Sequence, residues 1–87
     1  MEKTLHYNLM FKPEPEGGFT VIVPSLPGCV TYGKNLEQAK EMARDAISGY
    51  LYSLKKHKEQ IPSDADSFVT TINIGIKKQQ AKKLAYA

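Results

Sequence analysis

In LHYNLMFKP, residues 5–13, apolar and polar side chains alternate: Leu5, Tyr7, Leu9 and Phe11 fall on one side, His6, Asn8, Met10 and Lys12 on the other. A period of two predicts a half-buried strand. KPEPEGG, with two prolines and two glycines, predicts a loop. FTVIVP, residues 19–24, reads as a second strand with Phe19, Val21 and Val23 on one face. So short a loop predicts an antiparallel hairpin. CVTYGK, residues 29–34, reads as a shorter third strand after a Pro-Gly corner. Pro24, Pro27 and Gly28 set that corner, because proline fixes φ and glycine accepts backbone angles that other residues resist.

The period then changes. Asn35 is a strong N-cap, and Gln38 three residues later completes a capping-box pattern. Leu36, Ala39, Ala43, Ala46, Ile47, Tyr50, Leu51 and Leu54 follow at helical spacing and form one apolar stripe. Glu37, Lys40, Glu41, Arg44, Asp45, Lys55 and Lys56 take the other side. The helix is expected to end near Lys56 or His57, with cations in its last turn as the dipole prefers. EQIPSDADS is a connector whose Pro62 stops the helix. FVTTINIGI, residues 68–76, reads as a fourth strand with Phe68, Thr70, Ile72, Ile74 and Ile76 on one face. The order β-β-β-α-β predicts an α+β fold with one helix packed on one sheet. A right-handed crossover would bring the return strand beside the first and parallel to it. The second sheet face would stay open or be covered by another subunit.

Composition adds limits. Eighty-seven residues make one domain, and so short a chain gains from oligomerisation or a partner. No apolar run reaches the roughly 20 residues that span a bilayer, and the N-terminus does not read as a signal peptide. A single cysteine excludes an internal disulfide and fits a reducing, cytoplasmic setting. The formal charge of +3 is unevenly placed. Residues 77–87 hold Lys77, Lys78, Lys82 and Lys83 and no acid, whereas residues 1–76 hold eight bases against nine acids. The division is therefore a near-neutral domain, 1–76, and a basic tail, 77–87. The tail lysines are the candidates for contact with a nucleic acid.

Candidate chemistry is sparse. His6 lies on the polar side of the first strand and His57 at the helix end, neither with a sequence neighbour suited to orient it. Cys29 opens a strand rather than a helix, which suits a small buried hydrophobe better than a nucleophile. No spacing resembles a zinc or calcium site, and no glycine-rich loop precedes a helix. No catalytic residue, metal or cofactor is expected.

EPEGGF, VIVPSLPGCVTYG, NLEQAKEMARDAISGYL and KEQIPS, in that order, resemble the HicB family of antitoxins. The likeness covers residues 5–63. It implies a partial, degenerate RNase H-like fold, which agrees with the order read above. It also implies a role: to bind a HicA toxin, a small mRNA-cleaving ribonuclease that uses a histidine, by covering its active surface, and to assemble as a dimer or higher homo-oligomer. The acids that hold metal in RNase H-like enzymes have no counterparts in the first and fourth strands, so nuclease activity is not carried over. Many members continue into a DNA-binding domain. None fits in the residues after the fourth strand, so the chain is a short member or a fragment, and DNA binding is not expected of it.

A toxin that handles RNA is expected to be basic, which makes acids the candidate contacts: Glu14 and Glu16 in the first loop, Glu37, Glu41 and Asp45 on the helix, Asp64 and Asp66 in the connector. Three other readings stand beside this one: a nucleic-acid-binding regulator that uses the basic tail, a small enzyme acting through Cys29 or a histidine, and a solitary oligomeric family member without a toxin.

Overall fold

A computed structural model describes residues 4–77. Three strands, β1 (Met10–Pro13), β2 (Phe19–Ile22) and β3 (Val30–Gly33), precede one helix, α1 (Leu36–Lys56). The strands form an antiparallel sheet in the order β1-β2-β3. The α+β class and the first four elements are as the sequence pattern predicts.

β1 is shorter than its alternating pattern. Met10 pairs with Ile22, the last residue of β2, so residues 5–9 have no partner on that strand. The alternation still holds there: Leu5, Tyr7 and Leu9 are half-buried and His6 is exposed. The connector supplies their backbone with partners instead. Asp64 N–H donates to the His6 carbonyl (2.7 Å), and Asn8 N–H donates to the Asp64 carboxylate (2.8 Å).

The corner between β2 and β3 is two turns joined end to end. Leu26 N–H donates to the Val23 carbonyl (3.0 Å) and Cys29 N–H to the Leu26 carbonyl (2.9 Å). Pro24 and Pro27 each hold the second position of a turn. Gly28 holds the third position of the second turn at φ 83°, a left-handed value that a type II turn requires there. Val23 N–H bonds the Cys29 carbonyl (3.0 Å) and closes the loop. Leu26, between the turns, is driven inward and is fully buried.

The helix ends follow known capping chemistry. The Asn35 side chain accepts from Gln38 N–H (2.8 Å), and the Gln38 side chain accepts from Lys34 N–H (2.7 Å). The capping box thus reaches one residue further back than its usual partner, the N-cap's own amide. At the other end Glu59 N–H donates to Leu54 and Lys58 N–H to Lys55, a Schellman pattern with Lys58 at φ 56° where glycine is usual.

Two buried clusters share the space between helix and sheet. Val21, Ala39 and Ala43 form one; Val23, Leu26 and Cys29 form the other, with Ile47, Tyr50, Leu51 and Leu54 against it. Leu9 touches both. Small residues set the spacing. A Cβ on Gly33 would collide with the backbone of Ala39, so only glycine lets the end of β3 meet the start of α1 this closely. Leu36, expected in the apolar stripe, packs against neither cluster and is half exposed.

The fourth strand is the main correction. Among the described residues, 68–76 form no strand and pair with none. Ser67 N–H closes a turn onto the Asp64 carbonyl (3.0 Å), and every residue from 65 to 77 is exposed. A strand is stable only with a neighbour, and this segment leaves the body before meeting one.

Candidate interaction surface

Cys29 is buried, and burial pushes its thiol pKa up, opposite to what a nucleophile needs. The His57 ring lies 2.8 Å from the Ser53 carbonyl and finishes the helix. His6 contributes backbone bonds to Ser63 and Asp64. Ser25 donates directly to the Asp64 carboxylate, with no imidazole between them as a Ser-His-Asp triad would have. Among the described residues no three His, Cys, Asp or Glu side chains gather into a metal-binding group.

The acidic candidates divide by place. Glu37, Glu41 and Asp45, four residues apart, form one exposed row along α1. Phe19 pairs with Gly33, which puts the β1–β2 loop at the sheet end where the helix begins. Glu16 is exposed there, and Glu14 accepts from the Thr20 hydroxyl (2.6 Å). Asp66 is exposed at the opposite end. Asp64 is only 6% exposed. Hydrogen bonds from the Ser25 hydroxyl and the Asn8 amide hold its carboxyl below the ordinary carboxylate range, against the opposing effect of burial. The Tyr7 hydroxyl donates to the Pro62 carbonyl beside it. Asp64 therefore ties strand, corner and connector together rather than facing a partner. Pro24, Pro27 and Gly28 lie in the two turns of the corner, and Tyr50 donates to the Pro27 carbonyl (2.8 Å). Lys77 is exposed; Lys78, Lys82 and Lys83 lie outside the described residues.

The open sheet face was expected, but its apolar row and a second apolar surface were not. The register sets Met10, Ile22 and Val30 side by side on the sheet face away from the helix. Met10 is 53% and Val30 55% exposed. The available signal was that FTVIV is apolar on both faces and that Met10 falls among polar neighbours. The second surface is a groove of about 400 Å³ beside residues 5–9, the segment that leads into β1. Leu5, Tyr7 and Leu9 form one wall, Ile47 and Leu51 the other, with the exposed Lys40 and Arg44 at its rim. It exists because α1 lies over β2 and β3 rather than over β1.

Among the described residues no helix is long and apolar enough to cross a membrane. Residues 7–84 match the family described as HicB_like antitoxin of bacterial toxin-antitoxin system. A UPF0150 protein of Thermoplasma acidophilum is 39% identical over 66 residues, which cover 76% of this chain and 96% of that one. A UPF0150 protein of Helicobacter pylori is 36% identical over 59 residues, 68% of this chain and 82% of that one. Antitoxin HicB 1 of Photorhabdus laumondii is 35% identical over 60 residues, 69% of this chain but 39% of that longer protein. With its three-stranded antiparallel sheet and single capped helix, the chain belongs to the HicB-like antitoxin family.

Proposed function

We propose that this protein neutralises a HicA-like, mRNA-cleaving toxin by covering the toxin's active surface, and that it does so in the cytoplasm as a homodimer or higher homo-oligomer. Residues 1–76 are the antitoxin domain in this reading and residues 77–87 a basic extension. Family membership supports the general role, a partner toxin and a non-enzymatic mode of action. The acidic row Glu37, Glu41 and Asp45 carries the specific one. Its three carboxylates are exposed along one helix face, which suits a basic protein that binds RNA. Glu14 and Glu16 extend the acidic character around the helix start, and Asp66 is a separate contact at the far end.

The test is calorimetric titration of the purified chain with a HicA-like toxin from the adjacent reading frame, inactivated at its histidine. Charge reversal of Glu37, Glu41 and Asp45 to lysine is expected to weaken binding by about tenfold or more. Unchanged affinity would remove the acidic row from the interface. Absence of binding by the unaltered protein would remove the HicA-like assignment.

A further inference from the structure

Two parts of this molecule lack partners, and they match. Residues 68–76, FVTTINIGI, are uncharged, rich in β-branched side chains and alternate with a period of two. Phe68 is 85%, Ile72 81% and Ile74 75% exposed. An uncharged segment of this kind is an aggregation hazard unless something pairs with it. On the body, β1 has β2 on one edge, and its other edge pairs with no described strand. The apolar groove opens beside residues 5–9, which lead into that edge, and is walled by Leu5, Tyr7, Leu9, Ile47 and Leu51.

We propose that the 68–76 arm of one copy enters the groove of a second copy, adding a fourth strand to the free edge of its β1, and that the exchange is reciprocal. The root of the arm favours a second copy over the chain's own groove. Asp64 fixes the exit beside residues 6–8, and the Asp64–Ser67 turn then carries the chain off the body. Size agrees as well. The exposed apolar side chains of one arm present on the order of 600 Å², so the two arms alone present about 1,200 Å², and the surfaces receiving them bring the total up to the standard interface range. Reciprocal exchange closes the contact as a two-fold pair, whereas one-way exchange would run on as a filament. Phe68, Ile72, Ile74 and Ile76 face the groove; Val69, Thr71 and Asn73 face away from the helix. The exchange requires no toxin.

Sedimentation of the full chain without toxin gives the first readout, with a dimer or an even multiple expected. Ile72→Lys combined with Ile74→Lys is expected to raise the dissociation constant by more than about tenfold while helix content stays constant. Thr71→Lys, on the opposite face, is expected to change it by less than about twofold. A mixed sample of differently labelled chains then identifies the partner by filtered nuclear Overhauser contacts. Contacts from the Ile72 and Ile74 methyls to Leu9 and Leu51 between chains support the exchange. The same contacts within one chain show that the arm folds back, and overturn it. A monomeric protein, an arm without contacts to the groove, or equal sensitivity to Thr71→Lys would also overturn it.

Discussion

β2 and the 68–76 arm both open on phenylalanine and continue in β-branched residues, yet they have opposite fates. β2 is paired on both edges and carries Val21, which is fully buried. The arm is paired on neither and exposes its isoleucines. Connectivity makes the difference. Short loops on either side of β2 deliver β1 and β3 to it, so its neighbours are local. The arm follows a helix of 21 residues and a turn that leads away from the sheet. An alternating pattern establishes that a segment can be a strand, but a ladder needs a second backbone within reach.

The largest test of this contrast is Leu26→Ala. Leu26 is fully buried between the two turns of the corner that delivers β3 to β2, and losing it is expected to cost about 2–5 kcal/mol. So small a domain should then be largely unfolded in mild urea, read by circular dichroism. Gly33→Ala attacks the same side of the comparison. Its Cβ meets Ala39 backbone rather than a yielding side chain, and the expected loss is about 1–3 kcal/mol by the same measurement. Asn35→Ala removes the N-cap bond to Gln38 and should cost about 1 kcal/mol.

Asp64 tests the boundary between the two regions. Its carboxyl pKa is lowered by folding, so its stabilising contribution is complete above the ordinary carboxyl value of about 4 and is lost as pH falls through the lower folded value. The Asn8 amide resonance should therefore be constant from neutrality to about pH 4 and move below it. Asp64→Asn should abolish that titration and loosen the exit segment while α1 persists. The smallest expected effect has the opposite sign. Lys58→Gly relieves a left-handed position at the helix end and should stabilise the body by about 0.5–1 kcal/mol, seen as a raised urea midpoint.

The candidate surface was only partly readable in the sequence. The row Glu37, Glu41 and Asp45 follows from helical spacing alone, because three charges four residues apart must share a face. Asp64 and Asp66 look equivalent in the sequence. Burial separates them, since the Ser25 hydroxyl and Asn8 amide that claim Asp64 come from segments 39 and 56 residues away along the chain. The Met10, Ile22 and Val30 row needed the register of two strand pairs before it could be seen.

The sequence by itself determined what local forces determine: the faces of the first two strands, the corner set by Pro24, Pro27 and Gly28, and the helix launched at Asn35. Each depends on residues a few positions apart, whose side chains and backbone angles act on one another directly. Tertiary structure alone decided that Leu26 would fill the core, that Asp64 would be a tie rather than a contact, and that α1 would leave a groove beside residues 5–9. It also decided that the segment with the plainest strand pattern would have no neighbouring strand among the described residues. Those outcomes depend on where distant parts of the chain meet, and a pattern of side chains carries the face of a strand but not the address of its partner.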